Sequence, residues 1–147
     1  MMAQALRRFN NRGQALVEFA LLLPLVMLLL IGIVEFGRAW QAKQTLTDVA
    51  REAARMSVIG DPTVTRGKVD SLVRLAISRA GFDSATVTVA WPDGCKMAGC
   101  APPLTTNAVT AVTLTMPHRF VALHRLVSLV TSGGVLTLRS TARMRIE

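Results

Sequence analysis

Arg12-Gly13-Gln14-Ala15-Leu16-Val17-Glu18-Phe19 runs directly into Ala20-Leu21-Leu22-Leu23-Pro24-Leu25-Val26-Met27-Leu28-Leu29-Leu30-Ile31, and the reading of this stretch decides the fold. A short basic lead-in ends in glycine, and one glutamate then heads an otherwise uncharged apolar helix. From Phe19 to Val34 no residue is charged. With Ala15 to Glu18 the segment has about 20 residues, the length that crosses roughly 30 Å of hydrocarbon. A buried core helix is the competing reading, but little of the remaining chain is apolar enough to enclose it. Glu18 is costly in such a place. A charged residue deep in a bilayer costs roughly 2.5–3.5 kcal/mol, so it points to a function and to a partner.

Hydrophobic residues make up 51% of the 147-residue chain, which is high for a soluble domain of this size and reflects the N-terminal excess. The length suits one domain, or a membrane anchor with one small domain. Residues 1–12 carry Arg7, Arg8 and Arg12 and no acid. The positive-inside rule keeps them cytoplasmic and sends the C-terminal part across the membrane. The net charge is +8 overall and +5 without the three arginines of residues 1–13; a mildly basic exported part suits anionic surfaces or polysaccharide, although a solvated surface accounts for it as well. Nucleic-acid binding is not supported, because there is no basic run beyond Arg7-Arg8 and no tyrosine.

The apolar helix is expected to continue past the membrane. Leu46, Val49, Ala50 and Ala53 recur at helical spacing as a narrow stripe of mostly small residues. Asp48 with Arg51, and Glu52 with Arg55, are spaced to pair on the surface. Gly60-Asp61-Pro62 is a stop signal. A helix over residues 14–59 would be near 69 Å long at 1.5 Å per residue, so its outer half should be a spine for a globular part. Pro24 removes one backbone hydrogen bond within the apolar run and predicts a kink. Glu35, at the far end of that run, is expected to lie near water and mark the outer membrane boundary.

Beyond residue 60 the pattern is α+β. Val69, Leu72, Val73, Ala76 and Ile77 share one face of a helix from Arg66 to Ala80, closed by Gly81. Alternation predicts three strands: Asp83 to Trp91, Asn107 to Met116 with a stop at Pro117, and Val135 to Ile146. Phe120 to Val130 reads as a short helix or covering loop, and Ser132-Gly133-Gly134 as a turn. The strands should form one antiparallel sheet with its apolar face on the long helix. Cys95 and Cys100, in the loop between the first two strands, read as a disulfide in an exported segment. So short a loop contributes only about 2 kcal/mol. A metal site is disfavoured, since Cys-x4-Cys has no second ligand pair nearby.

At Gly13-Gln14-Ala15-Leu16-Val17-Glu18-Phe19-Ala20-Leu21-Leu22-Leu23-Pro24 the chain resembles the TadE-like proteins, minor pseudopilins of the tight-adherence (Tad, type IVc) pilus. Members read Gly-Gln-x-x-x-Glu-Phe-Ala-x-x-x-Pro, then a leucine-rich run, then Glu-Phe-Gly-Arg, here Glu35-Phe36-Gly37-Arg38. The specific likeness covers about residues 12–55, a third of the chain; the C-terminal strands fit only a loose pattern. The resemblance implies a processing site at Gly13, Gln14, Glu18 and Phe19. A prepilin peptidase would cut after Gly13, with methylation open to the new N-terminus on Gln14. The chain then divides into a leader (1–13), a transmembrane and spine helix (14–59) and an extracytoplasmic α+β domain (60–147). The implied partners are that peptidase, the small Flp-type major pilin, a sister pseudopilin, and the Tad membrane platform with its ATPase, besides membrane lipid. The implied location is the inner membrane, single-pass, with the pilus itself as a further destination. After cleavage the Gln14 amino group and the Glu18 carboxylate lie one turn apart. They can neutralise each other in lipid, or pair between neighbours in a bundle, where desolvation offsets much of the attraction and register gains most.

No catalytic, cofactor or metal site is legible. Gly60 to Val69 imitates a phosphate loop, but six residues separate its glycines and Val69 stands where a Ser or Thr should hold magnesium. His118 and His124 have no acid nearby in sequence and read as surface or packing residues. A non-enzymatic pilus component is therefore expected. The alternatives are a signal-anchored envelope protein with a binding domain and no polymer, or a secreted protein cut near Gly37-Arg38-Ala39, where Glu35 and Arg38 crowd the site.

Overall fold

The computed structural model describes residues 2–59, 61, 63–98, 107–129 and 134–146, with side chains from residue 13 onward except at 126. The order is α1 (Met2–Ile59), α2 (Arg66–Arg79), a 3-10 turn (Ser84–Thr86), β1 (Thr88–Ala90), β2 (Val109–Arg119), α3 (His124–Val127) and β3 (Val135–Arg145). The architecture is the expected α+β: a long N-terminal helix, a second helix, and one antiparallel sheet ordered β1-β2-β3.

The long helix starts earlier than expected. It includes residues 2–12 rather than beginning at Gln14. Those residues are mostly strong helix formers, Ala, Gln, Leu and Arg, and a lone Gly13 costs only about 1 kcal/mol. Pro24 lies inside the continuous helix. At 58 residues α1 is about 87 Å long. Its two halves live in different surroundings. From Gly13 to Val34 nearly every residue is exposed. Beyond that, Glu35, Ala39, Ala42, Leu46, Ala50, Ala53, Ala54 and Ser57 form a buried stripe. Steps of three and four residues keep them on one face. The stripe is alanine-rich because both α2 and the sheet close on it, and small side chains allow the approach. Val49, expected in the stripe, is only partly buried at its edge.

Helix α2 is capped at both ends. Thr65 Oγ1 accepts the Lys68 N–H at 3.3 Å, a standard N-cap. At the other end Phe82 N–H reaches Ile77 O at 3.2 Å and Gly81 N–H reaches Ser78 O at 3.0 Å. This Schellman pattern needs a left-handed residue, and Gly81 has φ +82°. Val69, Val73 and Ile77 are buried against α1, while Leu72 remains 39% exposed. The predicted surface pairs form, Asp48–Arg51 at 3.6 Å and Glu52–Arg55 at 3.9 Å. Exposed as they are, they contribute little.

Strand β2 pairs with β3 over its whole length, from Val109↔Arg145 to Arg119↔Val135. The even-numbered residues Val112, Leu114 and Met116, with Leu138, Ala142 and Met144, face the core built on Leu46 and Ile77. Ser140 Oγ bonds Thr47 Oγ1 at 3.1 Å, and Lys43 Nζ donates to Arg139 O, fastening β3 to α1. Pro117 does not stop β2, as the sequence suggested. It lies opposite Thr137, beyond the reach of β1, which ends its pairing at Thr115. With no strand on that side among the described residues, a residue lacking an N–H is tolerated. Strand β1 is shorter than expected because Ser84–Thr86 form a 3-10 turn, with Asp83 accepting the Ala85 N–H at 3.0 Å.

Candidate functional site: the two ends of the apolar helix

At the N-terminal end, the Gln14 side-chain amide donates to Glu18 Oε1 at 3.1 Å. The pair is exposed and one turn apart. The one-turn spacing that would bring an amino group on Gln14 to Glu18 is thus already used by the Gln14 side chain. Phe19 is 63% exposed, and a Cβ added at Gly13 would meet no atom within 4 Å. Among the described residues nothing demands a glycine there. The Gly13–Gln14 bond lies within α1, and glycine lowers the cost of opening the helix locally by about 1 kcal/mol. Leu16 through Val34 present their side chains outward, and the apolar window of the helix Gly13–Ile59 is entirely unburied. By length and composition this helix suffices to cross a membrane.

The other end overturns an expectation. Glu35 is not in water: it is 6% exposed. Its Oε1 accepts the Val121 N–H at 3.1 Å and the Ala122 N–H at 3.0 Å, and Oε2 lies 3.3 Å from the same Val121 nitrogen. Consecutive backbone N–H groups make a small anion-receiving concavity. Glu35 fills it and so ties the end of the apolar run to the segment between β2 and α3. Stepping back from Leu46 by three and four residues passes through Ala42 and Ala39 to Glu35. That register is the mark in the sequence that Glu35 shares the buried face.

His118, next to this clamp, is 8% exposed and meets Phe120 edge-on with ring centroids 5.4 Å apart. Burial holds its pKa below the ordinary 6.5; the Glu35 carboxylate opposes this and Arg38 reinforces it. His118 is packed into the fold, and its Nε2 lacks a partner among the described residues. His124 is exposed and lies against Gly134 at the start of β3. Among the described residues no cluster of His, Cys, Asp and Glu could hold a metal. Cys95 is fully buried, and no free cysteine occurs among the described residues. Cys100 lies outside them, as do Gly60, Pro62, Ser132 and Gly133.

An exposed apolar helix, a glycine with no local reason to be one, and Glu18 in register with it are the decisive set. Residues 13–55 match the TadE-like protein family. The match opens on Gly13, runs through Glu18 and Glu35, and ends within the buried stripe of α1. Over these 43 of the 147 residues the chain is similar to TadE-like proteins. No curated protein and no solved structure matches the chain. The TadE-like segment thus comprises the apolar helix and most of the stripe on which the sheet is built, and the sheet itself lies outside it.

Proposed function

We propose that the chain is a minor pseudopilin of a Tad-type adhesive pilus, matured by a prepilin peptidase after Gly13. One observation carries this reading: Gly13, Gln14, Glu18 and Phe19 stand in register at the head of an apolar helix that buries none of its membrane-length window. Anchoring needs only hydrophobicity and gives Glu18 no purpose. A cut after Gly13 removes three arginines, lowers the net charge to about +5, and creates an amino group within one turn of Glu18. In lipid that pair is self-neutralising. In a bundle Glu18 can meet the N-terminus of a neighbouring pilin, which fixes axial register more than affinity.

On this reading residues 1–13 are the leader and stay in the cytoplasm. The helix over 14–59 crosses the inner membrane and continues as the spine. Residues 60–147 form the extracytoplasmic domain, with Cys95 and Cys100 joined in its loop. The partners are the major pilin, a sister pseudopilin, and the assembly platform with its ATPase. The role is structural, with no catalysis.

N-terminal sequencing of the cell-derived protein tests the reading. The mature chain should begin at Gln14, and Gly13→Leu should leave the precursor uncut. A start at Met1 or at Trp40 overturns it. Glu18→Gln should still insert, since it removes a costly charge, yet abolish co-assembly with the other pilins.

A further inference from the structure

The Glu35 clamp fixes the height of the domain above the apolar helix, and a polar cleft opens at that height. Its volume is about 490 Å³, and Arg38, Phe82, Asp83, Pro117, His118 and Arg119 line it. His118 is more than nine-tenths buried, and its Nε2 has no hydrogen-bond partner among the described residues. Arg38 and Arg119 are exposed, and neither enters an ion pair among the described residues. Asp83 is the one acid of the lining, and its carboxylate already accepts the Ala85 N–H at 3.0 Å. With its proton on Nε2, the buried His118 ring adds a donor to a lining that also holds two guanidiniums outside any ion pair among the described residues, and that is chemistry for an anion with several oxygens.

Position narrows the anion. Arg38 is four residues beyond Val34, about 6 Å along the helix axis. The head-group layer on each side of the hydrocarbon is roughly 5–8 Å thick. Arg38 therefore lies at the depth of lipid phosphates if the apolar helix spans the bilayer. Two further observations give this end of the domain a membrane-facing character. Val121, held by Glu35, is 74% exposed, and Leu129 beyond α3 is 82% exposed. On α1, Phe36 and Trp40 stack at 6.3 Å and are both exposed. The Trp40 ring favours the bilayer interface.

We propose that this cleft binds the phosphate of a phospholipid head group through Arg38, Arg119 and His118, giving the domain a second hold on the bilayer surface. The proposal rests on the membrane-anchor reading and goes beyond the pilin reading. It is tested with the full-length protein in nanodiscs of phosphatidylethanolamine and phosphatidylglycerol, released into mild detergent for native mass spectrometry. One phospholipid should remain bound per chain. The double substitution Arg38→Gln with Arg119→Gln should weaken its retention about tenfold, equivalent to about 1.4 kcal/mol, and His118→Phe should also weaken it. Hydrogen exchange in β2 serves as the folding control. Equal retention in a folded double variant overturns the proposal. So does displacement of the lipid by millimolar inorganic phosphate, which would mark a soluble-phosphate site. A carbonate wash separates the two readings. A chain that washes off refutes the anchor and the cleft together, whereas a membrane-held chain that retains no lipid refutes the cleft alone.

Discussion

Replacing Glu35 by alanine should release the segment after β2 without unfolding the domain. The carboxylate takes two backbone N–H groups, from Val121 and Ala122, at 3.0–3.3 Å. Hydrogen bonds to charged groups contribute about 1.5–3 kcal/mol each. Val121 is itself exposed, so water can reach the freed amides and the lower end applies. A total of about 2–3 kcal/mol corresponds to local opening that is about 30- to 150-fold more frequent. Glu35→Gln keeps an oxygen acceptor and loses only the charge, so about 1 kcal/mol, or roughly fivefold, is expected. The assay is hydrogen exchange read at amides 121 and 122, with the β2–β3 ladder around Leu114 as an internal reference. If Glu35→Ala exchanges at those two amides as the unsubstituted protein does, the carboxylate is not the tie that the geometry describes. If the Leu114 region loosens equally, Glu35 supports the whole core rather than one segment.

Leu46→Ala should be the most damaging single change in the spine, at about 2–5 kcal/mol, because Leu46 is fully buried between the sheet and α2; thermal unfolding in detergent reads it. Acid should weaken the domain through His118. Its pKa is held below 6.5 in the fold, so the unfolded chain takes up the proton first and stability falls as pH drops below about 6.5. Melts between pH 7.5 and 5.5 should show this slope, and His118→Phe should flatten it. Thiol labelling of the exported protein without reduction should leave Cys95 and Cys100 unmodified, and Cys95→Ser should cost little beyond the short loop's entropy.

Much of this fold was legible in the order of residues, because its elements are periodic and periodicity is local. The uncharged run after Glu18 declares a membrane-length helix. The alternation in Val109 to Leu114 and in Leu136 to Ile146 declares two strands, and both form. Gly81 closes α2 for a reason written in its lack of a side chain. Gly13 and Glu18 are picked out by spacing alone, and the structure adds that nothing packs on Gly13 and that the Gln14 amide donates to Glu18.

Tertiary structure decided the rest. Pro117 reads as a strand end until the sheet shows β1 stopping short of it. Phe120 to Val130 reads as generic cover until α1 supplies an acceptor for its backbone. Glu35 is the clearest case. Its partners lie 86 and 87 residues away and are main-chain N–H groups, which every residue but proline carries. The register of the buried stripe puts Glu35 on its inner face, but a carboxylate bound to backbone leaves no trace of its partners in composition or spacing. Only the approach of two distant segments determined that this glutamate holds the domain to its helix.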